Sequence, residues 1–286
     1  MGSDGVRRRV DRELVRRGLV ASREEAQRVI ELRRVQVDGA PVAKSSTLVR
    51  PDQHLIVGGP PPRFVSRGGD KLQAGLERFG VDPAGRVVLD AGISTGGFSD
   101  CLLQAGATRV VGVDVGYGQL AERLRRDGRV DLRERTNVRT LSLDDLGGAP
   151  VDLLVADLSF ISLTTVLPVL LPLLDVRGSA ILLVKPQFEV GRTRVGRGGI
   201  VRDPSAWADA IEAVASAASR AGRPVVDVMP SPIRGAEGNV EFLVLIAPGP
   251  AKDDVAGRIA RALDEVAASA IPPARSEAPG EEVLAG

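Results

Sequence analysis

Val87-Val-Leu-Asp90-Ala-Gly92-Ile-Ser-Thr-Gly96-Gly97-Phe98 is the stretch whose reading decides the fold. An apolar run led by valines reads as a buried strand, and the glycines after it read as a tight turn opening onto a helix. Glycine lets the backbone approach a ligand closely, and a helix start offers free N–H groups. The glycine spacing does not fit G-x-G-x-x-G, the pyrophosphate fingerprint. A second apolar strand ends at Val113-Asp114. A carboxylate so placed binds ribose hydroxyls in Rossmann-type sites, and it suits NAD or the adenosyl ribose of S-adenosyl-L-methionine (SAM) equally.

Outward from this turn, strand and helix signals alternate. Strands are expected at 86–91, 109–115, 130–134, 151–157, 179–185, 224–229 and 240–246. Helices are expected at 71–79, 97–105, 119–126, 162–174 and 204–221. Such alternation predicts an α/β domain, a parallel sheet with helices on both faces. Pro230 to Asn239 is polar and glycine-containing, so the last two strands should pair antiparallel. Turn, Asp114 and late hairpin together favour SAM over NAD. The expected cofactor residues are Asp90, Gly92, Ser94, Gly96, Gly97, Phe98, Asp114, Tyr117 and Asp157. Phe98 and Phe160 read as pocket lining or as core, and Trp207 as packing.

Four charged residues stand where burial should exclude them. Lys71 opens a helix after Ser66-Arg-Gly-Gly-Asp70; Asp157 ends Leu153-Leu-Val-Ala; Lys185 ends Ile181-Leu-Leu-Val; Glu241 precedes Phe242-Leu-Val-Leu-Ile246. Ligands of open α/β sheets bind beyond the carboxyl ends of the parallel strands, and all four can converge there. The chain has only four lysines, Lys44, Lys71, Lys185 and Lys252, and uses arginine elsewhere. Lysine can lose its proton when desolvated and arginine effectively cannot. Lys185 is therefore the expected base, with Lys71 supplying a nearby like charge and Asp157 and Glu241 orienting both.

Residues 7–58 form a smaller α+β unit. A helix is expected over 9–20 with Asp11 as N-cap, and Ser22-Arg-Glu-Glu25 is a capping box opening a second. Val35-Gln-Val37, the turn signal Asp38-Gly39 and Leu55-Ile-Val57 follow. Residues 1–69 carry 14 Lys+Arg against 8 Asp+Glu, while the remainder carries 24 against 29. A basic front on an acidic body points to a polyanion, with Arg12, Arg16, Arg17, Arg23, Arg28, Arg33 and Lys44 as the expected RNA contacts. Residues 59–65, Pro- and Gly-rich, read as a linker, 66–248 as the large domain, and 249–286 as a helix (252–269) with a disordered Pro/Glu/Ala-rich tail.

The first unit resembles the S4 RNA-binding domain, through Val10-Asp11-x-x-Leu14-Val15-x-x-Gly18-Leu19-x-x-Ser22-Arg23-x-x-Ala26, Val35-x-Val37-Asp38-Gly39 and Lys44. Arg33 stands where that family often has glycine, so the helix exit should be strained or altered. The large unit resembles class I methyltransferases in its strand order. Lys71, Asp157, Lys185 and Glu241 look like the K-D-K-E tetrad of FtsJ-like RNA ribose 2′-O-methyltransferases. The words Ser66-Arg-Gly-Gly-Asp-Lys71, Ala156-Asp-Leu-Ser-Phe-Ile-Ser162, Val184-Lys-Pro-Gln-Phe-Glu189 and Gly199-Ile-Val-Arg-Asp203 are similar to the TlyA, or haemolysin A-like, family. The resemblance implies SAM-dependent 2′-O-methylation of cytidine in ribosomal RNA of either or both subunits.

One cysteine and one histidine argue against a Cys- or His-based metal site. No apolar run reaches the ~18 residues of a membrane span. A cytosolic protein without a signal peptide is the expectation, with RNA or ribosomal subunits as partners. The competing readings are a non-catalytic ribosome-assembly factor, a membrane-active haemolysin and an NAD-dependent dehydrogenase.

Overall fold

In the computed structural model, residues 7–20, 22–59, 62–235, 238–248 and 254–269 are described. The expected tail after Ile271, residues 60 and 61 of the expected linker, and residues 252 and 253 of the expected last helix lie outside them. Among the described residues no helix is long and apolar enough to cross a membrane.

The N-terminal unit runs β1 (Arg8–Arg9), α1 (Val10–Arg16), α2 (Arg23–Glu31), β2 (Val35–Val37), β3 (Ala40–Pro41), β4 (Leu48–Val49) and β5 (Leu55–Val57). Val10, Leu14, Ala26, Val29 and Ile30 bury their side chains against Val35, Val49 and Leu55. The Ser22 hydroxyl accepts the Glu25 N–H at 3.1 Å, as the capping signal requires. The turn between β2 and β3 has both central residues left-handed, Asp38 at φ 50° and Gly39 at φ 84°, which matches strand twist in a two-residue hairpin.

Two expectations here need correction. Asp11 is not an N-cap; that position falls to Arg9, whose side chain makes no cap bond. Asp11 is fully buried in the first turn, where it binds Arg9 at 2.9 Å and Arg23 at 3.2 Å. Arg28 does not face solvent. It is buried, donating to the Phe64 carbonyl and to Asp70 Oδ2 at 2.9 Å, and so ties α2 to the large domain.

The large domain continues with α3 (Gly68–Phe79), β6 (Val87–Ala91), α4 (Gly97–Gln104), β7 (Arg109–Val113), α5 (Glu122–Arg125) and β8 (Val130–Arg133). There follow β9 (Val151–Ala156), α6 (Leu163–Leu170), β10 (Leu174–Val184), α7 (Pro186–Glu189), α8 (Pro204–Arg220), β11 (Val225–Pro230), β12 (Phe242–Ile246) and α9 (Val255–Ser269). The sheet order is β11-β12-β10-β9-β6-β7-β8. The five strands from β10 to β8 are parallel, and β12 lies antiparallel between β10 and β11. The expected helix over 162–174 ends early. Pro168 and Pro172 withdraw two N–H donors, the chain passes through a 3₁₀ turn at Leu171–Leu173, and β10 begins at Leu174.

Alternation along each strand sorts side chains to the two faces. Leu154, Leu182, Val184, Phe242 and Val244 pack under α6 and α8. Leu153, Val155, Ile181, Leu183, Leu243 and Leu245 pack under α3 and α4. Gly75 lets α3 ride close: a Cβ there would lie 3.2 Å from Leu243 Cδ1.

Arg33 adopts φ 56° at the exit of α2, with its N–H on Ile30 O and that of Arg34 on Val29 O. A non-glycine residue pays about 1 kcal/mol for this left-handed region. Arg33→Gly should therefore raise stability by roughly 0.5–1 kcal/mol, read as a higher urea midpoint at unchanged slope.

Candidate active site

Strand parity brings the charged residues together. On the α3 face, β9 presents 153 and 155 and the next position in step is Asp157. β10 presents 181 and 183, then Lys185; β12, read backwards, presents 245 and 243, then Glu241. Lys185 keeps extended backbone (φ −112°, ψ 99°), so the alternation holds through it. Val184 pairs with Phe242 across β10 and β12, which sets Lys185 and Glu241 one position further at the same edge. Lys71, one helical turn before Gly75, reaches that edge from α3.

The four form two ion pairs. Lys71 Nζ lies 2.5 Å from Glu241 Oε2, and Lys185 Nζ lies 2.6 Å from Asp157 Oδ1. Lys185 donates its aligned hydrogen bond to Ser159 Oγ at 2.9 Å; its approach to Asp157 Oδ1 is an ion contact that makes no hydrogen bond. Lys71, Lys185 and Glu241 are each less than one-tenth exposed. Gly235 is pressed against the Glu241 carboxylate, where a Cβ would fall 2.5 Å from Oε1. Each lysine thus has its own carboxylate, Glu241 for Lys71 and Asp157 for Lys185.

Beside this edge a cavity of about 580 Å³ opens at the carboxyl ends of β6, β7, β8 and β9. It lies at the centre of the sheet, where successive connections run outward in opposite directions, as open α/β sheets place their ligands. Of the expected cofactor residues, Gly92, Ser94, Asp114 and Asp157 line it. Asp114 is held by two backbone donors, Ser94 N at 2.9 Å and Gly116 N at 2.7 Å. Its remaining acceptor capacity is available to hydroxyls. Gly92, at φ 88°, sits so near β9 that a Cβ would come within 2.9 Å of the Asp157 carbonyl.

The other expected cofactor residues lie elsewhere. Phe98 is core, 3% exposed. Gly96 abuts Leu120 and Leu124, and Gly97 abuts Ser66 and Gly69, so both glycines serve helix packing. Tyr117 lies outside the cavity lining, its ring 4.4 Å under the Arg135 guanidinium. Asp90 is fully buried beneath the turn and accepts Ser99 Oγ at 2.6 Å. Gln119, Asn137, Val138, Arg139, Leu158 and Ile161 line the cavity unanticipated. The signal for Asn137 and Arg139 was their place just past a parallel strand. Phe160 also lines it, 92% exposed and at φ 65°. Trp207 does pack, against Phe242, and donates Nε1–H to Val201 O.

Of the expected RNA contacts, Arg12, Arg16, Arg23, Arg33 and Lys44 are exposed. Arg17 is half-buried, bound to Glu13 and to the carbonyls of Arg50, Pro51 and Gln53. With Arg28 it serves structure.

The model of FtsJ-like methyltransferases matches residues 64–247, and that of the S4 domain residues 8–55. The chain belongs to the FtsJ-like methyltransferases. The 16S/23S rRNA (cytidine-2′-O)-methyltransferase TlyA of Mycobacterium tuberculosis is 51% identical to this methyltransferase over 239 residues, 83% of this chain and 89% of the relative. Hemolysin A of Brachyspira hyodysenteriae is 35% identical over 235 residues, 82% of this chain and 98% of the relative. A solved structure described as a hemolysin from Streptococcus thermophilus aligns with a TM-score of 0.74 at 36% identity, covering 92% of this chain and 96% of that one.

Burial pushes the Asp90 carboxyl of this methyltransferase up to about 7, with the charges of Asp157 and Asp114 adding and the Ser99 bond opposing. A carboxyl raised on folding contributes stability that is complete below its unfolded value, near 4, and lost as pH rises through 7. Asp90→Asn should remove this dependence. It should match the parent at pH 4 and be more stable at pH 8, by up to about 4 kcal/mol, in paired urea titrations across that range.

Proposed function

We propose that this enzyme transfers the methyl group of S-adenosyl-L-methionine to the 2′-hydroxyl of cytidine in ribosomal RNA. The observation that carries the reading is the meeting of Lys71, Asp157, Lys185 and Glu241 beside the Asp114 cavity. The 51% identical relative gives the substrate class.

The cavity fits a sulfonium nucleoside. Asp114 offers a carboxylate held on its inner side by two amides, which suits ribose hydroxyls. Val113, Val115, Val138, Leu158 and Ile161 offer apolar walls for a base, and Asp157 offers negative charge next to the glycine turn. When bound, the cofactor supplies a methyl group already activated by its positive sulfur. The protein then has to align the attacking oxygen and take one proton.

Lys185 is the acceptor for the proton of the 2′-hydroxyl, a role its amine fills only after releasing the ammonium proton to solvent. Its contact with Asp157 lies at the cavity wall, where an entering ribose can replace it. Lys71, fixed by Glu241, supplies positive charge to the developing alkoxide. Phe160, exposed at the mouth, offers a face on which a base lifted from its neighbours can stack. The exposed Arg12, Arg16, Arg23, Arg33 and Lys44 of the N-terminal unit give the phosphate-binding surface, with Arg139 adding charge at the cavity.

Lys185→Arg preserves the charge and removes the group able to release and accept a proton. It should bind SAM within about threefold of the parent yet lose at least 10²-fold in turnover. Mapping of 2′-O-methyl cytidine on 16S and 23S RNA should show marks with the parent and none with the variant. Marks laid down equally by both would remove Lys185 from the proton-accepting role.

A further inference from the structure

The chain carrying Lys185 grips the loop after β9 at three successive points. Lys185 itself takes Asp157 and Ser159. Phe188 lies against Phe160, with ring centroids 5.3 Å apart and planes tilted by 51°. Glu189 accepts Ser162 Oγ at 2.5 Å through Oε2 and Leu163 N at 2.7 Å through Oε1. Lys185 directly follows the strand and Phe188 and Glu189 close the short helix after it, so the β10–α7 junction presents all three to the same loop.

That loop needs an outside restraint. Phe160 holds a left-handed backbone with its side chain 92% exposed, and Ser159 is exposed as well. A strained non-glycine conformation costs of order 1–3 kcal/mol and persists only where its surroundings over-determine it. Burial of Phe160 contributes little here. Glu189 is the charged anchor: it sits at the first turn of α6, where the free N–H groups favour an anion. Burial still raises its carboxyl above the ordinary range, against the pull of the Ser162 and Leu163 donors. Its position thus carries a desolvation cost that a neutral cap would avoid.

We propose that Glu189 is a positioning residue for methyl transfer, fixing the 157–162 loop so that Asp157, Ser159 and Phe160 stay in register with Lys185. The catalytic part of this inference rests on the ribose-methylation reading above. Glu189 touches no reacting atom; it acts through Ser162, Leu163 and the loop they anchor.

The test compares Glu189→Ala and Glu189→Gln with the parent. In hydrogen–deuterium exchange on the full chain, without cofactor or RNA, Glu189→Ala should speed exchange of the 157–164 amides at least tenfold and leave the rest of the sheet within twofold. On ribosomal RNA its kcat should fall at least tenfold while KM for RNA stays within threefold. Glu189→Gln keeps an acceptor for the Leu163 N–H and should retain kcat within threefold. Parent-like exchange at 157–164 in Glu189→Ala, or a kcat within twofold of the parent, would overturn the proposal. A variant that loosens the whole domain uniformly would overturn it too. Should Glu189→Ala fail to fold, Ser162→Ala removes the other half of the contact, and at least threefold changes in the same two readouts are required of it. If the parent methylates no ribosomal RNA, the substrate reading fails, and the exchange comparison still decides the restraint.

Discussion

Everything at the working edge of the sheet depends on burying two ammonium groups and the Glu241 carboxylate beside Asp157, which stays partly exposed at the cavity. Each such ion loses several kcal/mol of hydration, and well-packed apolar side chains of the same volume often serve stability as well or better. Lys71, Lys185 and Glu241 are nevertheless buried, at 2.5 Å and 2.6 Å from their partners. Stability alone does not select this arrangement. It is what a site needs if it must hold cations near an oxygen that becomes negative and keep a proton acceptor within reach. The alternation of the strands makes it attainable, since one parity brings Asp157, Lys185 and Glu241 to the α3 face and the other lays Val184 and Phe242 into the core beneath α8.

The same edge is tied to the basic N-terminal unit by Arg28. Its guanidinium, buried between α2, the Phe64 carbonyl and Asp70, stands one residue from Lys71. Desolvation lowers the pKa of this arginine and Asp70 opposes the shift. Phe64 packs in turn on Gly69, where a Cβ would fall 2.3 Å from its ring. The RNA-facing unit therefore rests on the first turn of the helix that delivers Lys71, through a buried charge that tolerates little displacement.

How much of this was legible follows from which rules act locally. The alternation of apolar runs located all seven large-domain strands, and the absence of room for a helix between 230 and 239 placed the antiparallel β12. The Asp38-Gly39 turn and the Ser22 cap are short-range chemistry and were readable for that reason. The tetrad was legible because charge at the end of an apolar strand is costly wherever it occurs. Arg28 was not, because an arginine among arginines on an amphipathic helix carries no local mark of burial; only the approach of the second unit buries it. Gly97 was misread for a related reason, while Phe98 took the core alternative of its two readings. A glycine turn that meets a ligand and one that meets a helix look alike in sequence, and here the second half of the turn receives Gly69 of α3 and Ser66 just before it. Which carboxylate takes which lysine, Glu241 for Lys71 across 170 residues and Asp157 for Lys185, is a matter of side-chain reach, which periodicity does not encode.

Backbone strain among the described residues of the large domain gathers at the same rim. Ser94, Arg135 and Phe160, three non-glycine residues with positive φ, follow β6, β8 and β9 at the carboxyl ends of parallel strands. Each conformation is held by a contact from outside its own turn. The Ser94 N–H is taken by Asp114, the Arg135 N–H by Gly116 O with its guanidinium over Tyr117, and the Phe160 ring rests on Phe188. Strained residues relax when such contacts are missing, so the rim's shape rests on contacts that the protein itself supplies. A reaction whose main requirement is alignment of oxygen, carbon and sulfur gains most from that kind of rigidity, because little of the ordering is left to be done when the substrate binds.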